Sequence, residues 1–211
     1  VLSSSTSRPD VRPDAMPTAN ACDGGRAWRV RPAVTCLRGT SRCAVLHAIP
    51  FDVNDAEARE ALLRRGLFEA LVALHANARP RWGHMTAQQM IEHLLWAFDL
   101  STGEAQAECP IPEPQRQRAK AFLYDNRPTP REYMNPALTA GLPPLRHEAL
   151  SDAVASLRAA VNRFLHQAAS VPDATRTHPV FGPIGMDEWA RAHFKHTYHH
   201  LLQFGLVAAD T

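Results

Sequence analysis

Residues 193–205 read HFKHTYHHLLQFG, with histidines at positions 193, 196, 199 and 200. An imidazole can ligate a metal, shuttle a proton near neutral pH, or pack as an ordinary polar side chain. Residues three or four apart on a helix lie one above the other, so His196 with His200, or His193 with His196, could grip one ion. His193 and His200 stand about 10 Å apart along a helix axis, too far to share it. With His193 as zero on a helical wheel, Met186, Trp189, Phe204 and Val207 fall within ~40°, His200 near −20°, His196 near −60° and His199 near −120°. His199 is the flank residue, and the wheel does not decide between the two pairs.

Two histidines are too few for a zinc centre, since catalytic sites take three protein ligands and keep one position open. His93 supplies a candidate third. It is the one histidine in the stretch TAQQMIEHLLWAFDLST, on the same arc as Thr86, Met90, Ala97 and Leu100. The competing reading of a lone core histidine is a hydrogen-bonded packing residue. The other histidines fall in the N-terminal stretch, near helix ends or in loops, where solvated or capping roles are the default.

Four helical segments must position these residues. The first is expected over 55–77, with Leu63, Leu67, Ala70 and Leu74 in register, ending before Pro80. The second opens at Thr86-Ala87-Gln88-Gln89, a capping-box pattern, and runs to Thr102 before Gly103. The third covers about 148–169, with Leu150, Val154, Leu157, Val161, Phe164 and Ala168 at helical spacing. The fourth spans about 186–208. No segment reads as a strand. Between the second and third segments lies Glu104 to Leu145, with eight prolines and one short helix expected near 113–122. Connections that long carry function or lack order, and a crossover of this length lets the middle helices of a bundle run parallel.

The 211 residues suit one domain with a substantial core plus an extension. Residues 1–50 are rich in Ser, Pro, Gly and Arg without a period, so an extension that does not pack is expected there, with the domain over 51–211. A chain starting near Ile49 is expected to fold alone. The net charge of +2 gives no reason to expect a nucleic-acid partner, and no apolar run is long enough to span a membrane. Four cysteines without a C-x-x-C pattern point to a reducing, cytoplasmic setting.

Two blocks carry a resemblance. RWGHMTAQQMIEHLLWAF resembles the Trp-Gly-x-Met…Gln-Met-x-x-His signature of a domain-of-unknown-function branch of the DinB/YfiT-like superfamily. HPVFGPIGMDEWARAHFKHTYHHLLQFG is similar to that branch's His-Pro-x-Phe-Gly, Trp and Lys-His-x-x-His-His-x-x-Gln-Phe blocks in order and spacing. The resemblance implies an all-α fold, a four-helix bundle running up-down-down-up with the proline-rich crossover between helices 2 and 3. It also implies a divalent-metal site of three histidines: His93 from helix 2, with His196 and His200 from helix 4. Gly185-Met186 stands where the branch usually has Thr-Pro, and glycine is an acceptable cap. Members of the superfamily include transferases and isomerases that use low-molecular-weight thiols, and proteins described as metal-dependent hydrolases.

Three neutral imidazoles leave an ion its full double charge, which acidifies a water or a thiol at the open position. The expected function is therefore thiol transfer or hydrolysis on a small molecule, with zinc or nickel favoured by imidazole ligands. A thiol co-substrate fits the first chemistry. Glu92 is expected to point away from His93, so no carboxylate base is visible and thiol or small-molecule transfer is favoured. The alternative is a metal-free or non-catalytic bundle that binds a partner or ligand; a homodimer is compatible with either. Gln203, one turn after His200, and the lead-in residues Trp82 and His84 are candidates to orient a ligand or wall a pocket. In the crossover, Phe122, Tyr124, Tyr133 and Met134 could form an apolar wall, with Arg127 and Arg131 as anchors for a carboxylate-bearing substrate.

Overall fold

The computed structural model describes residues 47–48, 51–131, 133, 135, 138 and 141–208. The chain divides into a unit over Val1–Val30, outside the described residues, and a unit over Arg31–Thr211, which holds everything below. The expected extension thus lies outside the described residues, apart from His47 and Ala48.

The fold is mainly helical. Asp55 caps the first helix, its carboxylate accepting from the Ala58 amide at 3.0 Å. The chain stays helical through α1 (Ala56–Ala61), a π-helical turn at Leu62–Gly66 and α2 (Leu67–Leu71). The expected run to residue 77 is not observed: helix gives way after Leu71 to tighter i→i+3 turns, among them Leu74 N donating to Leu71 O at 3.0 Å. Leu74 is still buried, so the apolar period outlasts the helix.

α3 (Ala87–Thr102) has the full capping box. The Thr86 amide donates to Gln89 Oε1 at 2.9 Å and the Gln89 amide to Thr86 Oγ1 at 3.2 Å. α4 (Glu113–Lys120) and a short 3-10 turn at Ala121–Leu123 lie within the crossover. α5 (Leu150–Ser170) turns Ala153, Leu157, Ala160, Val161 and Phe164 inward. Its main neighbour is α3, and α3 also packs on α6 (Met186–Gln203). The core joins these helices through Met90, Leu94, Phe98, Leu157, Phe164, Trp189 and Leu201.

Two small ladders correct the expectation of no strands. β2 (Thr175–His178) and β3 (Gly182–Gly185) form an antiparallel pair; β1 (His47–Ala48) lies parallel to β4 (Val207–Ala208). β2 is largely exposed and β3 holds two glycines and a proline. Neither shows the apolar alternation that marks a strand in sequence.

α6 ends five residues before the expected Ala208. Leu206 N donates to Leu201 O at 2.8 Å and Gly205 N to Leu202 O at 3.0 Å, the two bonds of a Schellman motif. Gly205 has φ +68°, where a Cβ would be strained. The helix stops one turn after His200, which places Gln203 at its end.

Candidate metal centre

The structure brings His93 of α3 together with His196 and His200 of α6. Their candidate ligand nitrogens all lie within 4.8 Å of one another. His196 Nε2 stands 2.9 Å from His93 Nε2 and 3.0 Å from His200 Nε2. Among the described residues this is the one cluster of three or more His, Cys, Asp or Glu with metal-holding geometry.

Hydrogen bonding fixes the state of one ring. Gln203 Nε2 donates to the Trp82 carbonyl at 2.9 Å, which turns the amide oxygen toward His200 Nδ1 at 2.8 Å. The His200 proton therefore sits on Nδ1, and Nε2 offers a lone pair. With His200 Nε2 unprotonated, both contacts of His196 Nε2 can be hydrogen bonds only if a single proton on His196 is shared between its two neighbours. A cation between them takes up all three lone pairs. A tetrahedral ion with bonds of about 2.1 Å needs edges of roughly 3.4 Å, so the two contacts of His196 would open by roughly 0.5 Å to seat it. The donor set fits a divalent transition metal.

Burial makes the three rings neutral, as ligation requires. It pushes His93 down to about 4, with the charge of His199 adding to the effect. It holds His196 and His200 well below the ordinary histidine value, helped by their mutual repulsion with His93.

The two histidines left aside by the cluster have other work. His193 lies in an aromatic sandwich, 3.8 Å from the Phe98 ring centroid and 5.3 Å from that of Trp189. Ser101 Oγ donates to Phe98 O, so it accepts from His193 Nε2 at 2.8 Å. His199 stands on the flank, edge-on to Trp82 at 5.6 Å and held by the Thr129 backbone.

The Trp82–Gly83 turn clamps the end of α6. The Arg81 amide donates to Gln203 O at 2.7 Å, while the Trp82 carbonyl holds the Gln203 side chain. Gly83 has φ +75°, and a Cβ there would lie 3.0 Å from Gln203 Nε2. Gln203→Ala and Gly83→Ala are each expected to weaken metal binding by roughly 10–100-fold, the usual effect of losing an orienting partner. Equilibrium dialysis against a competing chelator reads this directly. Wild-type affinity in both variants would remove the clamp from the account.

A cleft of about 80 Å³ borders His93, with Gln89, Glu92 and Trp96 on one wall and Leu142, Pro143, Pro144, Leu145 and Arg146 on the other. Glu92 is buried in the cleft wall and is not part of the histidine cluster. Its carboxylate accepts from Arg146 N at 2.6 Å, His147 N at 3.2 Å and Gln88 Nε2 at 3.2 Å. Burial works to raise this carboxyl, but those hydrogen bonds outweigh it and hold the group below its ordinary value.

The other candidates scatter. Arg131 lies 4.6 Å over the Trp82 ring, beside the clamp. Tyr124 donates to Glu188 at 3.2 Å near the start of α6, and Arg127 is held by Asp125 at 2.6 Å. Tyr133 is half exposed, and neither it, Tyr124, Arg127 nor Arg131 is in the cleft wall. His84 is exposed and borders a separate open groove over 76–86. Met134 lies outside the described residues. Phe122 belongs to a contact that sequence reasoning missed: Lys195 is buried, donating to Phe122 O at 2.9 Å and Asp125 O at 2.6 Å. Burial lowers its ammonium to about 8 despite the nearby Asp125. It fastens the crossover to α6 next to His196. The one sequence signal for it was the lysine opening the Lys-His-x-x-His-His block.

Residues 56–204 match the family model of the DinB superfamily, and the chain belongs to that superfamily. Comparison with curated proteins and with solved structures gives no match. No helix among the described residues is long and apolar enough to cross a membrane.

Proposed function

We propose that the chain is a metal-dependent enzyme acting on a small molecule, with one divalent ion, zinc or nickel, held by His93, His196 and His200. Its helices would form the up-down-down-up four-helix bundle implied by the family resemblance, with α1 and α2 as one rod and α3, α5 and α6 as the others. The observation that carries the metal reading is the convergence of three neutral rings, one of them with its proton fixed away from the centre by Gln203. An ion held by three uncharged ligands would acidify a thiol or a water at its open position.

Thiol transfer is favoured over hydrolysis. Glu92 is the one carboxylate in the cleft wall, and its oxygens are occupied by backbone and amide donors. It is therefore poorly placed to serve as a general base. A low-molecular-weight thiol would be the co-substrate, and a reducing, cytoplasmic setting would keep it reduced. Within the protein, Gln203 would orient His200, and the crossover residues beside His93 would limit water.

The test uses purified full-length protein. One equivalent of metal per chain is expected by elemental analysis, together with conjugation of a small thiol to an electrophilic arene. That activity should disappear on chelation and return on adding metal. Stoichiometric metal with hydrolysis of esters or amides instead would move the assignment to hydrolase, and failure to bind any divalent ion would end the metal reading.

A further inference from the structure

We infer that the cleft beside His93 is a specificity pocket for a short, uncharged alkyl group on the molecule whose polar end reaches the three histidines. The inference rests on the metal reading above. His93 is common to the cluster and the cleft: its Nε2 meets His196, and its ring also borders the space in front of Trp96 and the Leu142–Leu145 segment.

The walls decide the chemistry. Trp96, Leu142, Pro143, Pro144 and Leu145 present mainly apolar surface. Among the polar wall groups, Gln89 Oε1 accepts from the Thr86 amide, and the Glu92 carboxylate accepts from Arg146 and His147 N–H groups. The Arg146 guanidinium reaches Asp99 at 3.0 Å. An anionic substituent entering here would meet the Glu92 carboxylate and mainly apolar surface, whereas an alkyl group loses nothing. Size narrows the class further. An apolar cavity of about 150 Å³ accommodates benzene, so a space of about 80 Å³ suits a propyl or butyl chain rather than a ring.

Glu92 has a positioning role in this arrangement. Through two backbone amides it pins the start of the segment that returns to α5, and so fixes the wall formed by Leu142–Leu145.

The probe is the cobalt(II)-loaded full chain, titrated with ethanethiol, propane-1-thiol and butane-1-thiol and followed by its visible absorption. Affinity is expected to rise about fourfold per added methylene, the increment for burying one CH₂. 2-Mercaptoethanol, which places a hydroxyl where propanethiol has a methyl, should lose that gain, and 3-mercaptopropionate should bind more weakly than butanethiol. Leu142→Trp, which fills the space, should flatten the series. Equal affinities across the wild-type series, or preference for the carboxylate, would overturn the pocket while leaving the metal centre standing. A chain that takes up no cobalt, or whose spectrum no thiol changes, would overturn the metal reading and the pocket with it.

Discussion

His196→Ala is expected to lower divalent-metal affinity by on the order of 10²–10³-fold, because structural zinc sites draw about 10–16 kcal/mol from four ligands, or roughly 3–4 each. His93→Ala and His200→Ala should behave alike. The same titration on His199→Ala should return near-wild-type affinity, since that ring stands outside the cluster. His193→Ala separates the roles further. It removes a ring stacked between Phe98 and Trp189, and such core truncations cost about 3–5 kcal/mol. It should therefore depress the melting temperature while leaving one metal bound per chain. Competition with a chromogenic chelator measures the first set and calorimetry the second. Metal affinity that survives loss of His196 would refute the ligand assignment.

The metal-free protein should unfold in mild acid. Five histidines, His93, His193 and His200 buried and His178 and His196 partly so, are pushed down by desolvation: His93 to about 4, His178 to about 3, and His193, His196 and His200 well below the ordinary value. In the unfolded chain each takes up a proton as pH falls through ~6.5, while the folded chain refuses it until far lower. The unfolded state thus binds more protons in that window, and stability falls as pH falls. A group held well below its unfolded value contributes up to about 1.4 kcal/mol per pH unit, so several such groups remove a large part of a typical stability of about 5–15 kcal/mol. A cooperative loss of far-UV circular dichroism between pH ~6 and ~4 is the expected result in the presence of chelator. Metal should move the midpoint down, because it competes with protons for three of the five rings. A metal-free protein with a native spectrum at pH 3.5 would contradict the neutral, buried state of these histidines.

Much of α3 and α5 was legible because local chemistry and burial agree there. Thr86 and Gln89 form the capping box that their spacing announces, Gly103 ends α3, and α5 buries one stripe. α6 was harder. Its period chose no ligand pair, because the helix is covered on more than one side: Phe51 stacks on Phe194 and packs tilted against Tyr198, and the crossover buries Lys195, which the wheel places opposite His193. Separating His196–His200 from His193–His196 requires knowing that Ser101 and Phe98 already occupy His193. Those partners lie about ninety positions away, beyond the reach of any period. The burial of Glu92 was out of reach for the same reason: the segment that covers it returns from residues 142–147. The early end of α6 was the exception, since Gly205 was in plain view.

The long separation between partners also sets when the centre can form. His93 and His196 are 103 residues apart, and Trp82 and Gln203 are 121 apart. Closing such loops is a late step compared with winding α3 or α5. Refolding should therefore proceed at nearly the same rate with or without metal, because the transition state has not yet gathered the three rings. The ion should act on the opposite limb, slowing escape from the native state in proportion to its concentration above Kd. For this chain, metal is expected to lengthen the lifetime of the folded protein without hastening its birth.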